Sequence, residues 1–229
     1  MKVIGVMPAY NEAERIGQAV RACLPYVDGL VVVDDGSTDR TKEVASAVGD
    51  QKVVVLRHKI NRDQGAALRT GSEAALKLGA DVIVHIDADG QHDPSEIPLL
   101  VAPIIEDRAD VVFGSRFLGA EPQGMPFVRR WVLRAGKTFN ALALGIPRTV
   151  TDPQSGYRAY SSKAAGKISF TQNRKAHASE ILRIVTRSDL RWLEVPIHVR
   201  YTAETLRKGN KTSDAFRIAW QLFIGAFTN

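Results

Sequence analysis

Continuous Val/Ile/Leu-rich runs, separated by helical patterns, restrict this chain's fold more than any other feature. They lie near 2–7, 30–34, 52–57, 81–87 and 110–114. None alternates with polar residues, which is the pattern of strands buried on both faces of a parallel sheet. Helical periodicity occupies 12–24, 38–48, 64–79 and 94–107 between them. Such βαβ alternation predicts right-handed crossovers and an α/β fold, a mostly parallel central sheet flanked by helices. Ser37, Thr38 and Asp39 are N-cap candidates for the second helix, and Pro94 suits the first turn of the fourth.

Acidic clusters follow two of these runs. Val82 to Ile86 leads into Asp87-Ala88-Asp89-Gly90-Gln91-His92, and Leu30 to Val33 into Asp34-Asp35-Gly36-Ser37-Thr38-Asp39. In an open α/β sheet ligands bind at the carboxyl ends of the strands, so these carboxylates face a ligand. Asp87 and Asp89, one residue apart on a bending chain, can aim at one hard cation, and Gln91 can add a carbonyl oxygen. That donor set suits Mg²⁺ or Mn²⁺ held together with a substrate's phosphates, hence a nucleotide-linked substrate. Pro8-Ala9-Tyr10-Asn11-Glu12 ends the first run at the same edge. Tyr10 offers an aromatic face to a nucleobase and Glu12 an acceptor to base or ribose; the plainer alternative is a turn with Asn11 capping the next helix. His85, inside an apolar run, reads as a packed core residue, and His92 as a neighbour that orients the loop.

At 229 residues, 45% hydrophobic and 24% charged, the chain can bury a full core. Its single cysteine, Cys23, excludes an intrachain disulfide, fits a reducing cytosol and argues against a thiolate metal site. Met1 leads directly into a strand with no cleavable-signal pattern. The net charge of +6 is uneven: residues 1–128 carry 13 Lys+Arg against 19 Asp+Glu, and residues 129–229 carry 18 against 6. The acidic part is suited to a cation; the basic part is suited to phosphates or the anionic cytoplasmic leaflet. Its basic residues are dispersed and form no nucleic-acid module, so no nucleic-acid partner is expected.

After Arg116 the pattern changes. An amphipathic helix is expected over 126–145, then a polar, turn-rich loop through Thr151-Asp152-Pro153-Gln154-Ser155-Gly156-Tyr157-Arg158. A short helix near 161–167, a helix near 176–188 and a strand near 191–199 follow. A last amphipathic helix near 213–227 carries Phe216, Trp220, Phe223 and Phe227. No repeat or linker divides the chain, so one domain over 1–229 is expected. No stretch approaches the ~20 apolar residues of a spanning helix. The last helix reads as a cover for the core; docking on a membrane surface, or an extension past Asn229 into a membrane-spanning segment or partner, are the alternatives.

The ordered motifs resemble family 2 glycosyltransferases of the GT-A nucleotide-sugar fold. They are Pro8-Ala9-Tyr10-Asn11-Glu12, Asp34 to Asp39, Asp87 to His92, Gly114-Ser115-Arg116-Phe117, Asp152 to Arg158 and Glu194-Val195-Pro196-Ile197. Gly-Ser-Arg-Phe and Ser-Gly-Tyr-Arg narrow the resemblance to the dolichol-phosphate mannose synthase, or polyprenyl-phosphate glycosyltransferase, group. It covers about residues 3–200. It implies that 1–116 binds nucleotide sugar and metal and that 117–229 binds the acceptor. By the same resemblance Pro8, Tyr10, Glu12 and Asp35 line the nucleoside pocket, with Asp87 and Ala88 bordering the nucleotide sugar. Asp87, Asp89 and Gln91 hold Mg²⁺ or Mn²⁺. Asp89, Arg116 and Arg158 are the expected catalytic residues. Arg116, Arg130, Arg134, Ser155 and Gly156 meet the acceptor phosphate, and Lys211 closes over the diphosphate. The implied reaction is an inverting transfer of a hexose, from GDP-mannose in the first instance or a UDP-hexose, to a polyprenyl or dolichyl phosphate at the cytoplasmic face of a membrane.

Two departures stand out. Relatives usually show Asn-x-Gly-Lys-Gly where this chain has Asn61-Arg62-Asp63-Gln64-Gly65, and the stretch Arg200 to Glu204 before Lys211 is longer than the family's compact element. A hydroxyl acceptor is the alternative chemistry; it needs a catalytic carboxylate, for which Asp152 or Glu180 is available. A nucleotidyltransferase or a non-catalytic nucleotide-sugar sensor are more distant readings, the first opposed by the lack of a glycine-rich basic loop after the first strand.

Overall fold

The computed structural model describes residues 1–118, 145–147, 149–174 and 176–199. The strands are β1 (Val3–Ala9), β2 (Gly29–Asp34), β3 (Val53–Arg57), β4 (Val82–His85), β5 (Val111–Ser115), β6 (Arg158–Ser161) and β7 (Trp192–Pro196). The helices are α1 (Ile16–Cys23), α2 (Thr41–Ser46), α3 (Gln64–Lys77), α4 (Ile97–Ile105), α5 (Ser162–Lys167) and α6 (His177–Arg187). One seven-stranded sheet runs in the order β3-β2-β1-β4-β6-β5-β7. All neighbours are parallel except β6, which runs antiparallel to both β4 and β5.

The apolar runs are the central strands, and both of their faces are covered. Met7, Leu30, Val32, Val84 and Val112 pack with Ile16, Val20 and Leu100 from α1 and α4 on one face. Ile4, Val6, Val31, Val33, Ile83 and Phe113 pack with Leu68, Ile181, Leu182 and Val185 from α3 and α6 on the other. Alternate residues of each strand therefore serve opposite layers, although all are apolar. On α3, Gly71 lets the helix sit against β1 and β2: a Cβ there would lie 2.3 Å from Val6 Cγ1. Cys23 is 1% exposed in the α1 layer, and burial pushes its thiol up to about 12. A thiol reagent at about pH 8 is therefore expected to label Cys23 only after denaturation. Rapid labelling of the folded protein would contradict this packing.

Most expected elements are present, with shifts that have local causes. The second helix does not use Ser37, Thr38 or Asp39 as its N-cap; Arg40 holds that position without a side-chain cap. Ser37 Oγ and Thr38 N–H are instead bonded to Asn11, and Asp39 Oδ1 accepts the Thr41 N–H at 2.9 Å. Pro94 opens a 3₁₀ turn ahead of α4, with Asp93 accepting from Ser95 N–H. β6 falls where a loop end was expected. Arg158-Ala159-Tyr160-Ser161 has no apolar run, and its pairing to β4 and β5 makes it a strand. The helices expected over 126–145 and 213–227 lie outside the described residues except for Gly145. Among the described residues no helix is long and apolar enough to cross a membrane.

Candidate active site

The carboxyl ends of β1, β2 and β4 form one edge, and a cleft of about 340 Å³ opens there. Its walls include Pro8, Tyr10, Glu12, Asp35, Asp87, Ala88 and Asp89, so the residues expected from separate motifs are brought together. Asn61 and Asp63 from the loop after β3, and Gln64 and Ala67 from the start of α3, also line it. Tyr10 is 44% exposed where it borders the cleft. Glu12 is paired with Arg15 Nη1 at 3.3 Å.

The first two loops are stitched together. Asn11, at φ 53°, donates its N–H to Ser37 Oγ and accepts the Thr38 N–H, each at 2.9 Å. It bridges loops rather than capping α1. Glu12 N–H donates to Thr41 Oγ1 and Ala13 N–H to Asp39 Oδ2. Buried Asp34 accepts the Ser37 N–H and pairs with Arg57 Nε at 3.2 Å. Asp35 is held at Oδ1 by His58 Nδ1 at 2.6 Å and by the Arg62 N–H at 3.0 Å.

Across the cleft, Asp87 Oδ1 accepts from Gln64 Nε2 at 2.8 Å. Gly156 allows the next loop to approach: a Cβ on it would lie 3.2 Å from Asp87 Oδ2. Asp89 Oδ1 accepts the Gln91 N–H at 3.0 Å, so Gln91 enters the loop through its backbone. His92 stacks on Tyr157 with ring centroids 4.8 Å apart, and the Tyr157 hydroxyl donates to Asp93 O. Burial raises the Asp87 carboxyl, opposed by the Arg158 charge and the Gln64 hydrogen bond. Burial and the Asp87 charge raise Asp89. The cleft thus collects Glu12, Asp35, Asp63, Asp87 and Asp89, and no Lys or Arg appears among its described lining residues.

Such a surface repels a diphosphate unless a cation joins it. Asp87 and Asp89 fit that need as an all-oxygen pair for a hard cation. Among the described residues no group of three His, Cys, Asp or Glu could hold a metal. A cation at this pair would therefore take further oxygens from substrate or water, the usual mode for Mg²⁺ beside phosphates.

At the end of β5, Arg116 forms a two-pronged pair with Asp152, Nε to Oδ2 at 2.6 Å and Nη2 to Oδ1 at 2.7 Å. Its guanidinium also lies 5.8 Å from the Phe117 ring centroid. Arg158 requires a correction. Expected to act on the substrate, it is 2% exposed at the start of β6, with Nε donating to Ser155 O and its guanidinium over Phe113. Buried there and absent from the cleft's lining residues, it acts on Asp87 through its charge rather than facing the cleft. Ser155, 3% exposed, accepts the Tyr157 N–H through Oγ and shapes the turn. Arg130, Arg134 and Lys211 lie outside the described residues.

His85 and His177 occupy the interior near Arg158. Burial and the Arg158 charge lower His85 to about 3 and His177 to about 4. Both are neutral when folded, whereas the unfolded chain protonates them near their ordinary value. Stability is therefore expected to fall as pH drops from about 6.5 toward about 4, by up to about 1.4 kcal/mol per pH unit for each histidine. Urea midpoints at about pH 7 and about pH 5 measure this, and His177→Gln should flatten the slope. A midpoint that does not change with pH would refute it.

Sequence reasoning passed over Arg15, His58 and Gln64. His58 lies one residue beyond β3, at the same edge as the acidic clusters, and that position was its available signal. Gln64 was visible only as a missing lysine.

The sheet order, the ligand edge and the paired aspartates define a GT-A nucleotide-sugar fold. Crystal structures of glucosyl-3-phosphoglycerate synthase from Mycobacterium tuberculosis share it; the one with Mn²⁺, UDP and glucosyl-3-phosphoglycerate superposes with a TM-score of 0.75 at 23% identity, covering 99% of this chain and 78% of that one. The family model described as Glycosyl transferase family 2 matches residues 6–168, and the chain belongs to that family. An uncharacterized protein of Methanocaldococcus jannaschii is 36% identical over 97% of this chain and 91% of its own length. The UDP-N-acetylglucosamine–dolichyl-phosphate N-acetylglucosaminyltransferase of Methanococcus voltae is 34% identical over 96% of this chain and 94% of its own. The polyprenol monophosphomannose synthase of Mycolicibacterium smegmatis is 33% identical over 73% of this chain and 64% of its own.

Proposed function

We propose that this protein transfers a sugar from a nucleotide sugar to a polyprenyl or dolichyl phosphate, by a single inverting displacement that needs a divalent cation. The observation that carries the reading is that the acidic cleft at β1, β2 and β4 and the Arg116–Asp152 pair at the end of β5 lie along the same edge of the sheet. Tyr10, Glu12 and Asp35 bind the nucleoside. Asp87 and Asp89 hold Mg²⁺ or Mn²⁺, which when bound neutralises charge on the nucleoside diphosphate leaving group. Asp152 orients the Arg116 guanidinium toward the acceptor side. A phosphate monoester with its second pKa near ~6 is already a dianion at neutral pH and needs no strong general base.

A hydroxyl acceptor has less support. Asp152 is committed to Arg116, and Glu180 accepts from Thr171 N–H, Thr171 Oγ1 and Gln172 N–H. Relatives named for mannose and for N-acetylglucosamine transfer leave the sugar to experiment. GDP-mannose is favoured by the motifs, and UDP-N-acetylglucosamine by the relative matched over nearly its full length. The lipid acceptor and the basic balance of residues 129–229 together support peripheral placement at the cytoplasmic face of a membrane.

The test mixes protein, Mg²⁺ or Mn²⁺ and a short polyprenyl phosphate with GDP-mannose, UDP-glucose or UDP-N-acetylglucosamine in turn. A lipid-linked monosaccharide from one donor is the expected product. Nucleoside diphosphate release without a lipid product would reject the acceptor and keep the donor site. Pyrophosphate release would indicate nucleotidyl transfer instead.

A further inference from the structure

We infer that His58 is a positioning residue for the donor nucleoside, acting through Asp35; this rests on the donor site proposed above. Asp35 lines the cleft yet is only 3% exposed. Both hydrogen bonds it accepts through its side chain, from His58 Nδ1 and the Arg62 N–H, fall on Oδ1. Neither uses Oδ2, which remains to accept an N–H or O–H from a nucleoside.

His58 is itself fixed on three sides. Its N–H donates to Asp34 O at 2.9 Å, its Nδ1 meets Asp35, and its Nε2 lies 2.9 Å from Thr70 Oγ1 on α3. A carboxylate only accepts, so Nδ1 carries the hydrogen; in the neutral ring Nε2 then accepts from the Thr70 hydroxyl. The ring is 9% exposed and is not among the cleft's lining residues, so it works on the ligand through Asp35. A carboxylate on a loop otherwise loses rotamer freedom when the ligand binds. The Thr70–His58–Asp35 chain removes that freedom beforehand.

The test is calorimetric titration of the full chain with GDP and with UDP, each in Mn²⁺, alongside thermal melts. Wild type and the variants His58→Leu, His58→Asn and Thr70→Val are compared. Asparagine keeps an N–H near the place of Nδ1 and leucine does not. The expected result is that His58→Leu raises Kd about tenfold for the nucleotide that wild type binds, the scale of a lost hydrogen bond to a charged group. His58→Asn should recover most of that loss, and Thr70→Val should cost about threefold. In the transfer assay the loss should appear in the donor KM, with kcat little changed. Equal affinity in His58→Leu, or Asn behaving no better than Leu among folded variants, would overturn the inference. Should His58→Leu fail to fold, Thr70→Val decides: unchanged affinity there overturns it. If wild type binds neither nucleotide, the donor site itself is wrong, a result distinct from any difference among variants.

Discussion

Asp89→Asn is expected to reduce sugar transfer by at least about 100-fold, the order seen when a charge-stabilising group is removed from a leaving-group site. Asparagine keeps the shape and an amide oxygen but removes the charge that draws a cation. The fold should tolerate the change. Asp89 is a half-buried carboxylate raised by burial and by the Asp87 charge, so neutralising it relieves repulsion. Its contact with the Gln91 N–H can be kept by the amide oxygen. The melting temperature should therefore hold or rise while turnover is lost. Initial rates with saturating donor and a thermal melt of the same sample check both halves. Turnover near wild type would remove Asp89 from the metal assignment, and a collapsed melt would show that the site carries the fold as well as the chemistry.

Asp152→Ala is expected to produce a large loss of stability. The Asp152 side chain is 1% exposed and that of Arg116 is 10% exposed. The carboxylate accepts Arg116 Nε, Nη2 and the Arg116 N–H. Removing it takes the two-pronged carboxylate away from a nearly buried guanidinium, a change that costs roughly 3–5 kcal/mol in comparable buried pairs. For a chain of this size that corresponds to a fall of roughly 10 °C in melting temperature. Arg116→Met should destabilise on a similar scale, because it strands the still more deeply buried Asp152 carboxylate. Activity should drop in both variants, since the proposed acceptor-side guanidinium is misdirected in one and absent in the other. Equal stability of Asp152→Ala and wild type would mean that the pair does not hold this corner of the sheet.

Chemistry was most legible where it followed a strand directly. The runs ending at Ala9, Asp34 and His85 deliver Tyr10, Glu12, Asp35, Asp87 and Asp89 to one edge because parallel strands point the same way. Arg158 shows where this reasoning stops. Its motif made it an expected catalytic residue, but β6 carries it inward between β4 and β5. Side-chain direction there depends on pairing partners with no trace in the local sequence. The replaced loop is a second case. Asp63 keeps a backbone at φ 69° and ψ 162°, a region suited to glycine, although a side chain stands there. Asp63 also pairs with Arg174 at 3.3 Å, and Gly65 N–H donates to Asn173 O, so the loop is held by a segment far along the chain.

By itself the sequence determined the α/β alternation, the two-faced burial of the central strands, the acidic edge and the family. Each depends on periodicity, or on residues next to a strand end, and such patterns act over short spans of chain. Tertiary structure alone decided the antiparallel entry of β6, the burial of Arg158, and the pairing of Gln64 with Asp87, His58 with Asp35 and Arg116 with Asp152. Those partners are 23, 23 and 36 residues apart. They meet only because sheet order and register bring distant loops to one edge, and packing then selects which polar groups satisfy one another.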